Sequence, residues 1–504
     1  MASNKKTCAK GMTYEDCELA ILRMQVDNAQ DKMARRVVQS PEIKKLFEIV
    51  ENFIQKKALV CYGGIAINAL LPTEDKIYDE EVDLPDYDFF SPNALEDAKH
   101  LADLFYKKGY KEVEAKSGQH HGTYKVFVNF LPIADITQSP KELFKVIKAN
   151  AVKVNGILYT DPNFLKMSMF LELSRPSGDT SRWEKVLKRL MLINKAYPLK
   201  DDNCKKVEFQ RDFDTDTNDK TIPAEKKAPI IYETVKETFI RQGVVFFGGY
   251  AISQYAQYMP KSIGRRVEHI PDFDVISKDP LKTAKVVKER LEDVGIGNVQ
   301  IMKREPIGEV IPIHYEIKIG KNTIAFIYKP VACHSYNVLL INGEKIKIAT
   351  IDTMLSFYLA FLYADRAYYD PERILCMSKF LFDVQYKNRL EQKGLLRRFS
   401  IICYGHQESV EEMRAEKANK YKELSAKRGT KEFEEWFLNY RPGEKKTIPL
   451  HLWTIKPPTN RRLISHKGNG YQAIEIAEGV KTPKTQKNQK PKTKKRKTRK
   501  VTFW

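Results

Sequence analysis

Three carboxylates carry the chemistry this sequence can offer. Residues 85–90 read Pro-Asp-Tyr-Asp-Phe-Phe, and on a strand residues i and i+2 face the same way. Asp86 and Asp88 therefore project side by side, and two carboxylates so placed repel unless a cation lies between them. A third, Asp135, sits in the apolar frame Ile133-Ala134-Asp135-Ile136, where a charge needs a partner. If the two strands are neighbours, three hard oxygen ligands converge, a set suited to Mg2+ or Mn2+. Such a set can hold two ions, roughly 3.5–4 Å apart, for in-line displacement at phosphorus.

A phosphate would also need a cradle. Gly63-Gly64 lies between the short apolar run Ala58–Tyr62 and a helix start, where backbone N–H groups can approach phosphate oxygens closely. Taken alone, such a pair is as often a plain turn. Asn68, one turn into that helix, either reaches the sugar or phosphate or is an exposed helix residue. Lys166 and Ser168 fall on a later helix, where Lys166 either meets a triphosphate or sits on a solvated face. His120-His121, in a Gly-flanked loop, reads as part of a rim loop rather than a metal site. Arg175 and Arg182-Trp183 read as helix-packing residues with RNA contact open. A second D-x-D, Asp212-Phe213-Asp214, lacks the strand frame and is set aside.

The elements that must position these residues occur twice. The run Val244–Phe247 leads into Gly248-Gly249, 185 residues after the first Gly-Gly, and Pro271-Asp272-Phe273-Asp274 follows 186 residues after its counterpart. Leu95, Ala98, Leu101 and Phe105 correspond to Leu281, Ala284, Val287 and Leu291, each set spaced as one buried helix stripe. Strands over 124–136 and 313–327 come next. Asn155-Gly156 and Asn342-Gly343 are then hairpin signals. Helices are expected over 162–174 with 183–195, and over 350–366 with 371–390. The order implies two related α/β (α+β) domains.

The segments are an N-terminal helical stretch (1–50), a first domain (51–200), a polar linker or excursion (201–227), a second domain (228–400) and a helical or irregular extension (401–480). A basic tail (481–504) is low in complexity and expected to be disordered. In the second domain Ala325 aligns with Asp135, so no third carboxylate is expected. The domain is then expected to bind RNA, contact the first domain or dimerise, without catalysis; the alternative is that Asp272 and Asp274 merely cap or salt-bridge, with Arg265-Arg266 as partners.

The chain has 504 residues and a net charge of +21, from 86 Lys+Arg against 65 Asp+Glu. That length implies two to four domains, and the charge a polyanionic partner. Eleven of the cations fall within 481–500, and without them the balance is +10. No apolar run is long enough to span a membrane, and the first residues do not read as a secretory signal. The seven cysteines are odd in number, widely spaced and without a C-x-x-C pair, so scattered thiols are expected rather than a disulfide framework or a zinc site.

The ordered set of strand, Gly-Gly, helix, D-x-D 23 residues on and a third Asp 49 beyond that is the layout of the nucleotidyltransferase fold of DNA polymerase β-like enzymes. The segments 123–137 and 156–176, with Arg182-Trp183, resemble the poly(A) polymerase catalytic subunit of poxviruses and its relatives in giant DNA viruses. The resemblance covers roughly 55–390. It implies two tandem nucleotidyltransferase-like domains with helical additions, the second degenerate. It also implies template-independent addition of AMP from ATP to the 3′ end of viral mRNA, releasing pyrophosphate. By match to the family motif Asp86, Asp88 and Asp135 become the catalytic metal ligands; the chemistry of such a site then makes Gly63 and Gly64 the phosphate cradle and Asn68, Lys166 and Ser168 candidate nucleotide or phosphate contacts, with the alternatives given above. A homodimer, a host-cytoplasmic location in the viral factory and packaging in the virion come with it. Only about 50 residues precede the catalytic segment, so the poxvirus subunit's cap-modifying processivity partner is not carried over. The competing readings are a non-catalytic RNA-binding or processivity subunit and a CCA-adding or uridylyl transferase; the complete Asp set disfavours the former.

Overall fold

The computed structural model describes residues 8, 11–79, 81–200, 204–207, 209, 224–268 and 273–444. Two helices lead in, α1 (Tyr14–Val38) and α2 (Pro41–Lys57). Ser40 caps α2 by accepting from the Ile43 N–H at 3.3 Å, and Ala58 ends it in the left-handed region. The buried stripe of α2, Leu46, Val50, Phe53 and Ile54, belongs to the same core as the first sheet.

The first copy contains β1 (Val60–Cys61), α3 (Gly63–Leu70), β2 (Tyr87–Ser91), α4 (Ala94–Lys107), β3 (Val113–Ser117), β4 (Thr123–Val128), β5 (Leu131–Gln138), α5 (Lys141–Asn150), β6 (Val152–Val154), β7 (Ile157–Tyr159), α6 (Pro162–Leu173) and α7 (Trp183–Ala196). The second contains α8 (Ala224–Gln242), β8 (Val245–Phe246), α9 (Gly249–Tyr255), α10 (Lys261–Val267), β9 (Phe273–Ile276), α11 (Pro280–Asp293), β10 (Val299–Arg304), β11 (His314–Ile319), β12 (Asn322–Tyr328), β13 (His334–Ile341), β14 (Glu344–Ala349), α12 (Ile351–Phe361) and α13 (Pro371–Lys387). After them come β15 (Cys403–Tyr404), α14 (Val410–Leu424), α15 (Lys431–Phe437) and β16 (Asn439–Tyr440).

Strand order makes the repeat explicit. One sheet runs β16-β3-β4-β5-β2-β1-β7-β6, the other β10-β11-β12-β9-β8-β14-β13-β15. Seven strands correspond one to one, and the pairings match in sense: β1–β2 and β8–β9 are antiparallel, β2–β5 and β9–β12 parallel. Both Asn-Gly pairs form the expected two-residue hairpins, with φ of 50° and 85° at Asn155-Gly156 and 51° and 84° at Asn342-Gly343; two successive positive φ values suit the twist of the flanking strands.

The expected helix stripe of α4 is buried throughout, but Leu281 on α11 is 38% exposed. It lies in the first turn, and Pro280 and Thr283 face the core there instead. Over its described part the 401–480 stretch is helical in α14 and α15 and also adds one strand to each sheet. Its β15 edges the second sheet, and β16 returns to pair with β3 of the first. The described residues up to Gly443 form one compact unit. The tail, Asp272 and Asp212-Phe213-Asp214 lie outside the described residues.

The cysteines depart from the scattered-thiol expectation. Cys8–Cys17, Cys204–Cys376 and Cys333–Cys403 are disulfide-bonded, with Cα atoms 5.2, 5.5 and 5.2 Å apart. Two of the bonds join cysteines 172 and 70 residues apart, partners that folding alone brings together. Cys61 is a buried unbonded thiol. Among the described residues no helix is long and apolar enough to cross a membrane.

Candidate active site

On β2, Tyr87, Phe89 and Ser91 are buried while Asp88 and Phe90 are half-exposed, so the strand's period of two puts Asp88 on the open face of the sheet. Its parallel neighbour on β5 is Asp135. Across β5, the antiparallel neighbour of Asp135 on β4 is Lys125. Lys125, Asp135 and Asp88 thus form one cross-strand row. The Lys125 ammonium forms an ion pair with the Asp135 carboxylate. Asp86, two residues before Asp88, lies at the mouth of β2, just outside the strand.

The electrostatics show how tightly the carboxylates crowd. Burial, then Asp86 and Asp135, push the Asp88 carboxyl up to about 7, while Lys125 and Arg182 pull it down. Asp86 is raised too, by burial and by Asp135, with Lys125 and Lys185 opposing. The start of α7, carrying Lys185 just after Arg182, therefore supplies positive charge to the acidic cluster. Among the described residues no three His, Cys, Asp or Glu groups form a ready metal cage; Asp135 is held by Lys125. The donors are all hard oxygens, and burial together with mutual repulsion raises two of them, a set suited to a divalent ion.

Gly63 adopts φ +70°, and a Cβ there would lie 2.9 Å from Oδ2 of Asp88. Glycine is required twice over, by the backbone and by the carboxylate beside it. A Cβ on Gly64 would collide with the Tyr78 hydroxyl, which also accepts from Arg189 Nη2 at 2.6 Å. Next to them Tyr62 stacks on Phe90 at 4.1 Å and hydrogen-bonds Thr137 at 2.9 Å, forming an aromatic flank to the row.

Three expected phosphate contacts are placed otherwise. Asn68 is buried, and its carbonyl accepts from the backbone N–H groups of Ile77 and Tyr78 at 2.9 and 3.0 Å. It pins the loop that carries Tyr78 and is not an exposed helix residue. Lys166 is buried and donates to the Tyr197 carbonyl, so neither the triphosphate contact nor the solvated face holds. Ser168 is exposed, but its hydroxyl donates to the Phe164 carbonyl of its own helix at 3.1 Å. The His121 ring lies tilted against that of Trp436, with centroids 4.1 Å apart, a contact supplied by α15. Trp183 does fix packing: its indole N–H donates to the Glu172 carbonyl at 3.1 Å.

Sequence reasoning missed Lys125 and Lys185. Lys125 alternates in register with buried Tyr124 and Val126, a signal of the open face. Its opposition to Asp135 depends on the hairpin at Asn129-Phe130, where both residues have positive φ. Phe is an uncommon residue for that conformation, so the turn carries no readable signature.

In the second copy Asp274 keeps the place of Asp88, and Gly248 presses against its carboxylate as Gly63 does against Asp88. Its neighbour on β12, however, is Phe326; Ala325 faces Phe273. The residue standing where Asp135 stands is thus Phe326, one position from the sequence alignment. Opposite it on β11 is Glu316, ion-paired with Arg304. Phe326 stacks on Tyr368 at 4.9 Å within a cluster that includes Tyr328, Tyr369 and His314. Aromatic rings fill the space over the strands that the first copy leaves to carboxylates. Arg266, expected near the acids, instead donates to the linker carbonyls of Cys204 and Val207.

Two related α/β halves, one with the carboxylate row and one without, define the class of fold. Residues 48–179, which contain the entire row, match the family model described as poly(A) polymerase catalytic subunit. A protein of Acanthamoeba polyphaga mimivirus named as such a subunit is 37% identical over 164 residues, 32% of this chain and 28% of its own length. One from African swine fever virus (strain Badajoz 1971 Vero-adapted) is 32% identical over 209 residues, 40% of this chain and 44% of its own. The chain thus spans less than half the length of these curated relatives. The crystal structure of the Megavirus polyadenylate synthase superposes with a TM-score of 0.68 over 84% of this chain and 86% of that one, at 21% identity, which shows a shared fold.

Proposed function

We propose that the chain is a template-independent polynucleotide adenylyltransferase, adding AMP from ATP to the 3′ end of viral mRNA. The observation that carries the reading is the register of Asp88 against Asp135 on adjacent parallel strands, with Asp86 two residues away, inside the segment that matches the poly(A) polymerase family. In the reaction the primer 3′-oxygen bonds to the α-phosphorus, the bond to the β-bridging oxygen breaks, and pyrophosphate leaves. Asp86, Asp88 and Asp135 would hold Mg2+ or Mn2+, which when bound neutralises the triphosphate and acidifies the 3′-hydroxyl. Asp135 helps take the hydroxyl proton. Gly63 keeps the helix start against Asp88 free of side-chain bulk, so backbone N–H groups of α3 can meet phosphate. Lys185 and Arg182 attract the triphosphate. The proposal includes a homodimer, which sedimentation would read.

The test is incubation of an RNA primer with each NTP and Mg2+ or Mn2+. Extension with ATP alone is expected, and Asp135→Ala should abolish it while circular dichroism stays that of the folded protein. Full extension by that variant would remove the assignment; extension with CTP or UTP would redirect the base specificity.

A further inference from the structure

The carboxylate row contains one cation of its own, and its placement is specific. Lys125 is the direct cross-strand neighbour of Asp135 and forms an ion pair with it. The side chain of Asp135 is 17% exposed and that of Lys125 41% exposed. The carboxylate is thus fixed among strands, whereas the ammonium ends a flexible four-carbon stem at the solvent side. It occupies an oxygen of the carboxylate that the proposed metal reading needs.

The second copy supplies an internal comparison. There the Asp is Phe326 and the Lys is Glu316. Glu316 has turned to Arg304 and accepts from the Thr323 hydroxyl at 2.6 Å. Both members of the pair differ together. The lysine stands where the carboxylate stands, and the second copy has neither.

We propose that Lys125 is a positioning residue, a resident counter-cation that holds Asp135 oriented on the open face while no divalent ion is bound and releases it when the ion enters. This rests on the metal reading of the Asp set. Asp86 and Asp88 repel Asp135, and an ammonium beside it keeps the three from splaying apart. A monovalent, mobile group can be displaced by a divalent ion at modest cost, which a buried Arg fork would resist. The released ammonium stays on the face where the triphosphate must arrive.

The experiment is titration of full-length protein with Mn2+ in the absence of nucleotide, free Mn2+ being read by electron paramagnetic resonance. Wild type, Lys125→Gln, Lys125→Arg and Asp135→Asn are compared, each checked for folding by circular dichroism. Lys125→Gln removes the competitor and should bind Mn2+ about tenfold more tightly than wild type. Lys125→Arg restores the counter-charge and should bind no more tightly than wild type. Equal or weaker binding by Lys125→Gln, or an Arg variant that behaves like the Gln one, would overturn the inference. Wild-type binding that Asp135→Asn leaves unchanged, or no wild-type binding at all, would instead take down the metal reading, and the inference with it.

Discussion

Replacing Asp88 with Asn should make the ion-free protein more stable at neutral pH while destroying the function proposed for it. In the folded protein the Asp88 carboxyl is pushed from 3.8 up to about 7 by burial and by Asp86 and Asp135. Each pKa unit corresponds to ~1.4 kcal/mol, so the ionised carboxylate costs about 4 kcal/mol once the shift is fully expressed. The sign follows from proton binding. Below about pH 4 the carboxyl is protonated in both states and adds nothing. Between pH 4 and 7 the unfolded chain has lost a proton that the folded chain keeps, so stability falls as pH rises, and above 7 the cost is constant. The proton is shared over neighbouring acids, so the transition belongs to the cluster. Thermal unfolding in chelator from pH 4.5 to 8.5 should show Asp88→Asn gaining on wild type with pH, by several degrees at the upper end. Saturating Mn2+ should reverse the order, stabilising wild type alone. A difference that is flat with pH, or a variant less stable at pH 8, would refute the crowding argument.

Three further outcomes are expected. Lys166→Met should leave the KM for ATP within about twofold. Burial lowers the Lys166 ammonium to about 8, so wild-type stability should rise as pH passes from 8 toward 10.5, a gain the variant lacks; thermal melts and initial rates read both. Asp274→Ala should keep primer extension, because Phe326 and not a carboxylate stands beside it; a hundredfold loss would restore a catalytic role to the second copy. Removing 481–504 should weaken RNA retention and flatten its dependence on salt, by up to ~0.7 in log–log slope for each single-strand phosphate that the tail had neutralised. Single-nucleotide addition should persist, and its loss would place the tail nearer the chemistry.

The sequence by itself determined what depends on short-range spacing. The alternation along β2 that puts Asp88 on the open face, the Asn-Gly hairpins, the buried stripe of α4 and the doubled order of elements all follow from periods of two and 3.6 residues or from turns only certain residues adopt. The tertiary structure decided what depends on register and on contacts between distant segments. A one-residue change in strand register exchanges the two faces; counting residues between the copies therefore reached Ala325, whereas the β9–β12 register puts Phe326 beside Asp274. Asn68 and Lys166 are polar residues at plausible spacings, yet their partners are backbone groups of Ile77, Tyr78 and Tyr197, supplied by chain that only folding brings near. The same holds for Cys204 and Cys376, 172 residues apart. Lys125 against Asp135 belongs to this second kind: both residue types can be read in the sequence, but their opposition exists only once β4 and β5 have paired.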